Sequence, residues 1–69
     1  MNIILNGEPH EVPEQTTLSQ LLTQLQFDPS RVAIEHNLEV APREGYHSVV
    51  LAEGDQIEIV HFIGGGSLF

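Results

Sequence analysis

The chain has 69 residues, with ten acidic side chains against two arginines, no lysine and no cysteine, for a formal charge of −8. A chain this short forms one domain with a small core, burying about 60% of the surface it exposes when unfolded. Without cysteine there are no disulfides, thiolate nucleophiles or thiolate metal sites, and without a basic patch nucleic acid is a poor partner.

Acidity of this degree favours solubility and complements a basic protein surface. No apolar run approaches the ~20 residues of a membrane span, and no basic-plus-apolar leader opens the chain. A soluble, cytoplasmic protein is therefore expected.

Asn2 to Asn6 reads as a short strand, and Asn6-Gly7 is a hairpin signal because a type I′ turn needs positive φ at both central positions. The return strand is expected over Glu8 to Val12. Alternation assigns Ile3, Leu5 and Val12 to the core face and turns Ile4 to the other. A helix follows, with Thr17 as N-cap and Gln20 at N3 in capping-box spacing. Leu18, Leu21, Leu22 and Leu25 form one apolar stripe at i, i+3, i+4 and i+7. Phe27 closes the core as the helix ends ahead of Asp28-Pro29.

Arg31 to Asn37 is the next expected strand, with Val32 and Ile34 inward and Ala33 and Glu35 outward. Leu38 to Ala52 reads as an irregular excursion, tucked onto the core by Tyr46, Val49 and Leu51. Glu53-Gly54-Asp55 is a turn into the last strand, where Ile57 and Ile59 face inward. This order predicts an α+β fold: a mixed sheet of four to five strands wrapped on one helix, with first and last strands parallel. The sheet face away from the helix then carries Ile4, Val60 and Phe62, ringed by Glu35 and Glu58. A contiguous apolar patch of this kind marks a partner-binding surface.

The last strand runs through Ile63 into Gly64-Gly65-Gly66, followed by Ser67-Leu68-Phe69. Three glycines bury no side chain and lose the most backbone entropy on ordering. Extended, they reach about 10 Å, far enough to enter a partner's active site through a narrow channel. Residues 1–63 are expected to form the folded domain and 64–69 a flexible tail.

Taken together, residues 1–66 resemble the ubiquitin-like, β-grasp sulfur carriers of the ThiS family of thiamine biosynthesis. The resemblance rests on Ile3-Ile4-Leu5-Asn6-Gly7-Glu8, the leucine helix, and Val32-Ala33-Ile34-Glu35-His36-Asn37. It continues through Val40-Ala41-Pro42-Arg43-Glu44-Gly45-Tyr46 and Gly54-Asp55-Gln56-Ile57-Glu58-Ile59-Val60 to the glycines. It implies that the chain is a protein cosubstrate without catalytic groups or bound cofactor. A ThiF-type adenylyltransferase would use MgATP to adenylate the Gly66 carboxylate, with Gly65 beside it in the channel. A persulfide donor would replace AMP to leave a thiocarboxylate, and a ThiG-type thiazole synthase would accept the sulfur. Ile4, Val60, Phe62, Ile63, Gly64, Glu35 and Glu58 would meet these partners.

In the chain as it stands, Ser67 holds the Gly66 carbonyl in an amide. Either a tail-clipping protease removes Ser67-Leu68-Phe69 or the chain is not a working ThiS carrier, and the alternative reading is a related carrier for cysteine, homocysteine or secondary-metabolite sulfur, activated by such clipping. A plain ubiquitin-like binding module, or a modifier joined to lysines through Gly66, are the other classes compatible with the pattern. His36 and His61 would face each other on adjacent strands, but the four histidines lack metal-ligand spacing and no metal site is expected. Neither a carboxylate pair nor a Ser-His-Asp set has supporting context for catalysis.

Overall fold

The computed structural model describes residues 1–62. Five strands are present: β1 (Asn2–Leu5), β2 (Glu8–Glu11), β3 (Val32–His36), β4 (Glu39–Ala41) and β5 (Gln56–His61). They form one mixed sheet in the order β2-β1-β5-β3-β4. β1 and β5 lie parallel at its centre, and the other neighbours are antiparallel. One helix, α1 (Leu18–Leu25), covers one face.

The local chemistry accounts for each element. Asn6 and Gly7 hold φ of 49° and 84°, the positive pair that the β1–β2 turn demands. The Thr17 hydroxyl accepts from the Gln20 amide, and the Gln20 side chain accepts from the Thr17 amide, completing the expected capping box. Gln26 closes the helix in the left-handed region. Leu18, Leu21 and Leu22 are fully buried against Ile3, Val12, Val32, Ile34, Ile57 and Ile59. Tyr46 and Leu51 join this core, while Leu5, Leu25, Phe27 and Val49 pack around it half-buried. Burial pushes the Tyr46 hydroxyl above its ordinary pKa, against the Arg43 charge and a backbone hydrogen bond to Ile34.

Two expectations are corrected. The stretch from Leu38 onward is not irregular throughout, because Glu39–Ala41 pairs with β3 as a fifth strand. Its turn is built on Asn37 and Leu38 at φ of 52° and 72°. Leucine is disfavoured there, so residue type gave no turn signal. The second correction concerns the histidines: antiparallel register sets His61 opposite Val32 and His36 opposite Ile57. The two histidines therefore lie at opposite ends of the pair and cannot share a ligand. Among the described residues no cluster of His, Cys, Asp or Glu has metal-binding geometry. No helix among them is long and apolar enough to cross a membrane.

Candidate functional site at the root of the glycine tail

β5 precedes the glycines in sequence and is the middle strand of the sheet, bonded to β1 on one side and β3 on the other. Its inner residues, Ile57 and Ile59, are buried, so alternation sends Glu58 and Val60 to the open face. Pairing continues just past the strand: the Phe62 amide donates to the Arg31 carbonyl at 2.7 Å. His61, on the helix side, stacks on Phe27 with ring centroids 4.9 Å apart. Phe62, the last described residue, is thus held by a main-chain bond at the sheet end that carries Arg31 and Phe27.

On the open face, Val60 lies opposite Ala33 and Glu58 opposite Glu35, while Glu35 also faces Val40 on β4. Val60 and Val40 are 53% and 75% exposed. With Ile34 these side chains line a shallow concavity of about 130 Å³. The expected patch is therefore present in part and displaced. Val60, Glu35 and Glu58 come together as predicted, and Phe62 continues the row, half-buried. Ile4 does not join them: it pairs with Gln56, four residues from Val60, about 13 Å along the strand. Ala33 and Val40 occupy the place assigned to it. Val40 was missed because reading β4 as irregular removed the alternation that points it outward. Ile63, Gly64, Gly65 and Gly66 lie outside the described residues, as does the expected 64–69 tail.

A larger groove of about 570 Å³ opens between residues 13–16 and α1. It lies on the helix side, away from the sheet face that leads to the tail, and apart from Glu14 its lining is uncharged.

At the opposite end of β5, Asp55 ties three segments together. Its Oδ2 lies 2.8 Å from His36 Nε2 and accepts from the Ala52 amide at 2.9 Å, while Oδ1 accepts from Asn37 Nδ2 at 3.2 Å. Burial pushes the Asp55 carboxyl up, but these hydrogen bonds and the His36 charge together hold it below its ordinary value. Asn37 closes the network by accepting the Gln56 amide on Oδ1 at 2.8 Å. This knot fixes where β5 begins, and its register then fixes where the tail leaves.

One helix packed on a five-stranded mixed sheet, with the C-terminal strand central and running into glycines, defines a ubiquitin-like β-grasp protein of the carrier class. Comparison with known proteins narrows the class: residues 3–66 match the ThiS family, and the chain belongs to it. A crystal structure of a thiamine biosynthesis protein (ThiS) from Geobacter metallireducens superposes with a TM-score of 0.82 at 35% identity, covering 96% of this chain and all of that one. The sulfur carrier protein ThiS of Bacillus subtilis is 43% identical over 63 residues, covering 90% of this chain and 96% of that protein. A thiazole synthase of Magnetococcus marinus is 58% identical over 66 residues, 96% of this chain and 20% of that protein. The chain spans about a fifth of the length of the thiazole synthases it matches.

Proposed function

We infer that this chain is the sulfur carrier of thiazole formation in thiamine biosynthesis, with Gly66 as the reactive residue. The observation that carries the reading is the family match, which runs through the fold and the glycines to residue 66. The thiazole synthases that contain a similar segment support a ThiG-type synthase as the sulfur acceptor.

A carboxylate is a poor electrophile, so the Gly66 carboxylate attacks the α-phosphate of MgATP on a ThiF-type adenylyltransferase, releasing pyrophosphate and leaving an acyl-adenylate. The terminal sulfur of a persulfide attacks the acyl carbon and AMP departs. A thiol then attacks the donor-side sulfur of the resulting acyl disulfide, forming a disulfide with the donor, and the acyl-bound sulfur leaves on Gly66 as the thiocarboxylate. The carrier's contribution is presentation: Gly65 and Gly64 pass a narrow channel, Ile63 and Phe62 seat at its mouth, and the Val60–Glu35–Glu58 face docks on the enzyme. Ile4, further along the sheet, borders that footprint.

The residues after Gly66 support a second form of the same reading. Adenylation requires a free carboxylate at Gly66, so a chain bearing Ser67-Leu68-Phe69 is activated by a protease first. A carrier for cysteine, homocysteine or secondary-metabolite sulfur shares this requirement.

The test uses chains ending at Gly66 and at Phe69, each incubated with the cognate adenylyltransferase, MgATP and a persulfide source. The shorter chain is expected to show ATP–pyrophosphate exchange and an intact mass in which one oxygen is replaced by sulfur. The longer chain is expected to show neither until a protease is added. Equal exchange by both forms removes Gly66 as the reactive residue, and exchange by neither removes the carrier reading.

A further inference from the structure

The chain's only two arginines, separated by eleven residues of sequence, converge on one place in the fold. Arg43 Nε donates to the Pro29 carbonyl at 3.0 Å, and Arg31 follows in the same turn of 3₁₀ helix, Pro29–Arg31. Both charges act on Asp28. The Arg31 carbonyl is the group that receives the Phe62 amide, so this pair of cations stands at the tail root. In a molecule of charge −8, collecting every lysine-or-arginine charge there leaves the remaining surface acidic.

The nearby acids do not use the pair up. Asp28 Oδ1 accepts from the Ser30 amide and hydroxyl at 2.9 and 2.8 Å, and Oδ2 forms only a long, exposed ion pair with Arg31 Nε at 3.9 Å, without a hydrogen bond. Glu44, next in sequence to Arg43, forms no ion pair with it within 4.0 Å. The bond to Pro29 fixes the Arg43 guanidinium through one donor, and its terminal nitrogens have no partner among the described residues. A guanidinium oriented in advance loses less freedom when a planar anion arrives, and carboxylates take it two-pronged.

We propose that Arg43 and Arg31 receive an acidic side chain of the adenylating partner, and that this contact sets the direction in which the carrier docks. The proposal rests on the carrier reading above. Glu35 and Glu58 lie opposite each other, about four residues or 13 Å along the sheet from Arg31. The surface around β3 and β5 is therefore two-signed: carboxylates mid-strand, guanidiniums at the end where Phe62 is held. A partner with basic groups over the first and an acid over the second fits in one orientation. Turned around, it sets like charges together, which costs affinity and misdirects the tail. The occupant proposed is a protein carboxylate, whose planar oxygens match the guanidinium fork; contact with the nucleotide phosphate is the alternative outcome of the test.

The test uses the chain ending at Gly66 and its cognate adenylyltransferase. Dissociation constants come from calorimetry, and KM and kcat from pyrophosphate exchange, at low and high salt. Arg31→Gln with Arg43→Gln is expected to raise Kd and KM by about tenfold at low salt with kcat unchanged, and the effect shrinks at high salt. Arg43→Lys keeps the charge but not the fork and gives a smaller rise. Arg31→Glu is rescued by an acid-to-arginine change on the enzyme, found by scanning its surface acids. Arg31 holds no backbone carbonyl through its side chain, so Arg31→Gln carries the test even where loss of the Arg43–Pro29 bond unfolds the turn. Unchanged Kd and KM at low salt overturn the proposal, as does a fall in kcat at constant KM, which places the arginines at the reacting phosphate. If the unsubstituted chain binds but is never adenylated, the carrier reading fails while the binding data still judge the arginines.

Discussion

Replacing Asp55 by alanine removes the acceptor that joins the Ala52–Asp55 turn to the β3–β4 hairpin. The carboxylate receives three hydrogen bonds, and its side chain is only 14% exposed. A hydrogen bond to a charged group contributes about 1.5–3 kcal/mol net, so simple addition overshoots. The Ala52 and Asn37 donors are exposed and recover water when the carboxylate is lost, whereas His36 is half-buried and recovers less. The expected loss is therefore about 2–3 kcal/mol, against a stability of roughly 3–10 kcal/mol for a chain this length. That corresponds to a fall in Tm of about 10–20 °C.

The pH dependence gives an independent check. The folded Asp55 carboxyl sits below its ordinary value of 3.8. Its contribution is complete above that value and is lost as pH falls through the lower, folded value. The stability gap between the natural chain and Asp55→Ala should thus narrow as pH falls below 3.8. Asp28 is also held low, chiefly by the Ser30 amide, so both chains keep some acid sensitivity of their own. Urea melts at a series of pH values measure the gap. A loss under about 0.5 kcal/mol at neutral pH, within the range of an ordinary surface substitution, refutes the idea that this network fixes the start of β5.

Glu35→Gln and Glu58→Gln should each raise stability by a few tenths of a kcal/mol, because like charges directly opposite on a sheet repel. A double-mutant cycle should show a coupling that vanishes in high salt, and both changes should weaken docking to the adenylyltransferase. Stability unchanged at low salt contradicts the pairing argument. Leu38→Gly should raise stability by about 0.5–1 kcal/mol, since relief of the left-handed strain exceeds the added chain entropy; a lower Tm contradicts this.

The inward half of the fold was legible because burial imposes a period. Leu18, Leu21, Leu22, Ile57 and Ile59 occupy the positions that spacing alone assigns, and Thr17 and Gln20 cap as their chemistry requires. The parallel pairing of β1 with β5 followed from the long helical connection between them. What escaped was set by register between distant segments. Nothing in the sequence tells that Ile4 pairs with Gln56, that His36 and His61 stand at opposite ends of an antiparallel pair, or that Arg43 reaches Pro29. Strand β4 escaped for a local reason: its turn places leucine where glycine or asparagine is the usual signal.

The two faces of the sheet differ in whether folding alone explains them. On the helix side the core choices agree with stability: aliphatic side chains and a satisfied N-cap, with left-handed backbone only at Gln15 and Gln26. On the open face and its edge the choices oppose it. Two glutamates face each other, Val40 and Leu38 are 75% and 80% exposed, and Leu38 holds φ at 72°. Disagreement between local preference and the fold, gathered in one region, is what a surface kept for binding shows. That region borders β5, the strand whose end becomes the tail. Under the proposed function, a partner that grips this face also grips β5, the strand paired on both sides that precedes the glycines in sequence. The unfavourable contacts are small beside the core.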